Sequence, residues 1–80
     1  MPDKKIRVTA YSGSRGEEIP RSFILSGEKI EVVSILDRWI EETSAETRRK
    51  RFFYVKGSDG YRYRVYFDES EKIWFLTNAG

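Results

Sequence analysis

The chain has 80 residues, with 15 Lys/Arg against 13 Asp/Glu for a formal net charge of +2, and 15% of it is aromatic. That length holds one domain with one hydrophobic core, and the aromatic content argues against disorder although 35% of residues are charged. Cys and His are both absent, which excludes disulfides, thiolate metal centres and cysteine nucleophiles and removes the commonest general base and transition-metal ligand.

Residues 1–4 are expected to be a disordered N-terminus, followed by a single β-rich domain over 5–78. The opening residues are polar rather than signal-like and no apolar run reaches membrane-spanning length, so cytoplasmic residence without a membrane partner is the default. Residues 6–11 alternate and are β-branched, which suits a strand. Residues 12–16 (Ser-Gly-Ser-Arg-Gly) form a loop, lacking the spacing and the Lys-Ser/Thr of a phosphate loop. A second strand is expected over 19–25, with Pro20 near its start, where a missing amide proton is tolerated. Gly27 marks the turn that follows.

Residues 30–42 fit two patterns. Val33, Leu36 and Ile40 have helical spacing. A strand fits as well, if its phase changes between Val32 and Val33 as a β-bulge would make it. The bent strand is preferred, with a helix as the alternative. Thr43 and Glu46 have capping-box spacing, which allows one helical turn within residues 43–49.

Two strand-like runs, 50–56 and 61–68, flank Gly57-Ser58-Asp59-Gly60, a hairpin signature. A three-residue loop with Gly60 in the left-handed conformation sets Val55 opposite Tyr63 and Phe53 opposite Val65. One face is then apolar or aromatic throughout: Phe53, Val55, Tyr61, Tyr63, Val65 and Phe67. The other carries Phe52, Tyr54, Lys56, Arg62, Arg64 and Tyr66. A two-residue turn would mix the faces, and one buried face is what fixes register. A last strand is expected over 72–77, with Trp39 and Phe75 inside and Trp74 at a rim.

Cations interleaved with rings on a β-surface suit single-strand nucleic acid, because bases stack on rings while Arg and Lys neutralise phosphates. On this reading Arg48, Arg49, Lys50, Arg51, Arg62 and Arg64 meet phosphates, and Tyr54 and Tyr66 stack. The competing explanation is that aromatic and Arg–Tyr pairs stabilise any exposed sheet face. A protein partner at an exposed edge strand or around Trp74 is the alternative function. Asp37 is expected to be partly buried and paired with an Arg, and Asp59 to bond its local backbone as a turn residue. The acidic turn 68–71 lacks the calcium-loop pattern. No catalytic residue, metal or cofactor is expected, and oligomeric state stays open.

Residues 23–76 resemble a family of small bacterial proteins of unknown function. The likeness lies in Ile35-Leu36-Asp37-Arg38-Trp39, Phe53-Tyr54-Val55, the run from Asp59 to Asp68, and Trp74-Phe75-Leu76. That family is associated with domains appended to Y-family, lesion-bypass polymerase-like proteins. The resemblance implies a DNA-repair setting, through nucleic-acid contact or as a protein adaptor, and carries over no catalytic residue. The expected architecture is mainly β: a small antiparallel barrel or curved sheet of four to five strands, SH3-like, with at most one short helix or helical turn.

Overall fold

A computed structural model of the chain describes residues 3–12, 18–43 and 48–77. Its strands are β1 (Lys4–Ser12), β2 (Glu18–Leu25), β3 (Glu28–Thr43), β4 (Arg48–Gly57), β5 (Arg62–Asp68) and β6 (Ile73–Leu76). Each pairs antiparallel with the next, and β6 returns to β1 to close a barrel. The small β-barrel is as expected, but it has six strands rather than four or five. β1 begins at Lys4, within the stretch expected to precede the domain.

No described residue is helical. The stretch 30–42 belongs to β3, the bent strand. Of the helical turn expected within 43–49, residues 44–47 lie outside the described residues, and Thr43, Arg48 and Arg49 are strand. The loop expected over 12–16 also lies outside them, apart from Ser12, which ends β1.

Side chains on the inner face of the strands converge on a core of Ile6, Phe23, Ile30, Phe53, Val55, Val65 and Trp74. The β2–β3 turn is a tight two-residue hairpin. Ser26 and Gly27 have φ of 51° and 81°, as a type I′ turn requires. In the β4–β5 hairpin, Phe53 lies opposite Val65 and Val55 opposite Tyr63, with Gly60 at φ 89°. This is the expected three-residue loop. A Cβ on Gly57 would stand 2.8 Å from Ile30 Cγ2 and 2.8 Å from Asp59 Oδ1, so the turn needs glycine where it crosses β3. Ser58 N–H donates to the Glu31 carbonyl at 2.8 Å, and Glu31 N–H donates to Ser58 Oγ at 3.1 Å.

β3 carries two bulges, not one. Its register against β4 shifts between Val32 and Ser34 and again between Ile35 and Asp37. Each extra residue reverses the alternation of side chains. The first bulge is the phase change visible in the sequence. The second turns Asp37 and Trp39 outward, so Trp39 sits over Phe52 on the outer face instead of in the core. In β6 the expected sides are also exchanged. Trp74 pairs with the inward Phe67 and Ile6 and is buried 5.7 Å from the Phe53 ring. Phe75 pairs with the outward Tyr66. Tyr61, expected on the buried face, precedes β5 and is 69% exposed.

Phe23 is buried to 1% exposure, and truncating a buried Phe costs about 3–5 kcal/mol. Phe23→Ala should therefore remove most or all of the stability of a domain this small. Tyr61→Ala should shift it by no more than about 0.5 kcal/mol. Urea unfolding of the two variants checks both.

Candidate nucleic-acid interface

Pairing registers define the outer face row by row. Across β3, β4, β5 and β6, the residues Trp39, Phe52, Tyr66 and Phe75 lie opposite one another in succession. Their rings form a continuous ladder. Trp39 and Phe52 stack at 5.3 Å with 7° between planes, Phe52 and Tyr66 lie 4.8 Å apart, and Tyr66 and Phe75 stack at 5.1 Å. Neighbouring strands lie about 4.8 Å apart, so rings standing on successive strands meet face to face. Phe52 and Tyr66 are buried although they point away from the barrel interior. The outward face thus has an apolar layer of its own.

Tyr66 completes its burial through its hydroxyl, which donates to Asp3 Oδ2 at 2.6 Å. Burial first, and the Asp3 carboxylate second, push that hydroxyl well above its ordinary pKa of 10.0. The Lys50 ammonium lies 5.1 Å from the Tyr66 ring centre, and the Arg64 guanidinium 5.8 Å from that of Trp39, both within cation–π range. Lys5, opposite Phe75, ends the row exposed.

The next rows, toward the hairpin tip, hold the accessible cations. Tyr54 lies opposite Arg64 and Lys56 opposite Arg62. The two arginines and Lys56 are exposed, and Tyr54 is half-buried. None of the three cations forms an ion pair with another described residue. A shallow groove of about 270 Å³ runs beside them, lined by Tyr54, Arg62, Tyr63, Arg64, Leu76 and Thr77.

The basic run 48–51 does not join this patch as a unit. Strand alternation sends Lys50 outward, while Arg49 and Arg51 share the side of Phe53. Both engage Glu69, Arg51 through a close Nε–Oε2 bond and Arg49 at 3.8 Å. Continuing the hairpin register past Phe67 sets Glu69 against Arg49, where its N–H donates to the Arg49 carbonyl at 3.0 Å. That counter-ion was open to sequence reasoning and was missed. Arg48 is placed by its backbone in β4, opposite Thr43. Of the residues expected to bind, Tyr54, Arg62 and Arg64 come together, with Lys50 at the border. Tyr66 is part of the apolar ladder instead of a free stacking platform.

Asp37 is exposed and accepts the Arg38 N–H at 2.8 Å. The expected buried pairing with an Arg does not occur, because the second bulge brings Asp37 to the surface. Asp59 behaves as expected. Its Oδ1 accepts the Tyr61 N–H at 3.1 Å, and its Oδ2 accepts the Tyr63 hydroxyl at 2.5 Å. Asp68 is buried and caps its own turn, accepting from Ser70 N–H and Oγ and from Glu71 N–H. Among the described residues no group of carboxylates is arranged to hold a metal ion. No described helix is long and apolar enough to cross a membrane. No family model, curated protein or solved structure matches the chain.

The Asp59–Tyr63 bond shifts both partners. Tyr63, raised by burial and then by Asp59, is pushed up to about 12 from 10.0. The hydrogen bond from Tyr63 lowers Asp59 below 3.8. A raised tyrosine stabilises the fold below pH 10 and loses that contribution as pH climbs toward 12. A lowered carboxylate stabilises above pH 3.8 and loses its contribution as pH falls through its folded value. Tyr63→Phe should therefore flatten the decline in stability between pH 10 and 12, and also the part of the acid decline due to Asp59. Denaturant unfolding across pH, with wild type alongside, measures both limbs.

Proposed function

We propose that this chain is a non-enzymatic, cytoplasmic interaction module that binds single-stranded DNA or RNA with little sequence preference. The binding surface is the outer face of the β4–β5 hairpin. One observation carries the reading: Lys56, Arg62 and Arg64 lie beside Tyr54 on a single outward face, exposed and in no ion pair with a described residue, with Asp37 across from Tyr54 on its β3 side. Guanidinium and ammonium groups at strand spacing neutralise successive phosphates, and a half-buried ring held on a rigid strand offers a stacking surface at low entropic cost. Lys5 extends the cationic border at the β1 end of the aromatic ladder, while Lys50 stands in register between Glu41 and Asp68.

This site is narrower than the sequence pattern implied. Arg49 and Arg51 serve Glu69, and Tyr66 serves the ladder, so affinity rests on few contacts and is weak. A repair setting is what the resemblance read from residues 23–76 implies, and it stands as part of this proposal.

Titration with a labelled oligothymidine at several salt concentrations tests the proposal. Each phosphate neutralised on a single strand contributes about 0.7 to the slope of log affinity against log salt. Arg62→Ala with Arg64→Ala should lower that slope by about 1.4. Tyr54→Ala should cost about 1–3 kcal/mol of binding, with Tyr54→Phe close to wild type. Arg49→Ala should leave affinity for the oligonucleotide unchanged. A slope that survives the double variant, or no binding at low salt, overturns the proposal.

A further inference from the structure

β2 and β3 are paired only from Ser22 opposite Glu31 to Leu25 opposite Glu28. Beyond Glu31 the two strands part. Glu18 to Pro20 of β2 pair with β1, and β3 pairs with β4 as far as Thr43. Among the described residues, one edge of β3 therefore runs unpaired from Val32 onward. Past the second bulge, from Asp37 to Glu42, that edge is regular. A cavity of about 320 Å³ lies where the strands diverge, with Ile19 of β2, Arg38 and Ile40 of β3, and Arg51 and Phe53 of β4 in its lining. Val33, Leu36 and Ile40 are 60%, 44% and 44% exposed along the same strand.

A long unpaired edge with exposed apolar side chains is a template for strand addition, and its charge states what fits. Asp37, Glu41 and Glu42 stand against the single base Arg38. On the paired side, β4 answers with Lys50 opposite Glu41 and Arg49 opposite Glu42. We propose that the Asp37–Glu42 edge accepts an extended peptide from another protein. The peptide lays alternate apolar side chains over Ile19, Ile40 and Phe53 and presents Lys or Arg to Asp37 and Glu41. Opposite charges on facing strands stabilise pairing and like charges weaken it. A second copy of this chain is the poorer occupant, because it brings two acidic segments side by side. The edge adjoins the Tyr54–Arg64 surface, since Asp37 faces Tyr54 and Trp39 carries the Arg64 guanidinium, but an added strand pairs on the side of β3 turned away from β4.

Two peptides of alternating sequence, one Lys–Val and one Glu–Val, are titrated into the isotopically labelled full chain at fixed ionic strength. The Lys–Val peptide should slow amide exchange at Asp37–Glu42, give intermolecular Overhauser contacts to Ile40, and bind about tenfold more tightly than the Glu–Val peptide. Ile40→Lys should abolish binding while preserving the amide spectrum of the barrel. Because the peptide comparison uses the unaltered chain, the test does not depend on that variant folding. Equal affinity for both peptides overturns the proposal. So do binding without protection of the edge, no binding at all, and concentration-dependent self-association that protects the same amides.

Discussion

Everything on this barrel's surface follows from one register, that of β4 against β5. The three-residue loop closed by Gly60 aligns Phe53 with Val65 and Val55 with Tyr63, and both valines are fully buried. Side chains alternate along a strand, so this alignment sends Tyr54, Lys56, Arg62 and Arg64 outward together. A slip of one residue would carry arginines into the core and valines into water. The turn is pinned from several sides: Ser58 on Glu31, Asp59 on Tyr61 and Tyr63, and Gly57 where no Cβ fits.

The same alternation decides which cations are available. A run of four basic residues looks like one patch in a sequence and becomes two half-patches on a strand. Arg49 and Arg51 meet Glu69, which the capped turn at Asp68 holds in place. Lys50 lies on the ladder side over Tyr66. What remains for a ligand is a compact group at the hairpin end. The ladder supports that group from beneath: Trp39 takes the Arg64 guanidinium against its ring, and burial of Phe52 and Tyr66 stiffens the outer surface. Part of the aromatic content is thus spent on a second apolar layer outside the barrel, which helps a domain of this size hold together without disulfides.

Local signals in the sequence were enough for much of this. Glycines, strand alternation and one buried face led to the hairpin, its register and its wet side, and the phase change after Val32 to the first bulge of β3. The second bulge left no such mark, because Ile35, Leu36 and Trp39 satisfy either phase. The sequence pattern therefore points Trp39 inward, whereas the structure turns it outward over Phe52. Trp74 and Phe75 were exchanged for a related reason. Adjacent aromatics fit either face, and the register of β6 against β5, together with its closure onto β1, selects Trp74 for the core. The β2–β3 divergence is likewise non-local and has no signature in a pattern of residues.

The central claim is tested most directly by cross-strand Overhauser contacts within residues 50–68 of the labelled protein in solution. The account predicts backbone and side-chain contacts joining Phe53 to Val65 and Val55 to Tyr63, with Arg62 and Arg64 side chains free of contacts to the core. Contacts joining Val55 to Arg64 as its facing residue would reveal a shifted hairpin and contradict the account, because the cationic face would no longer exist.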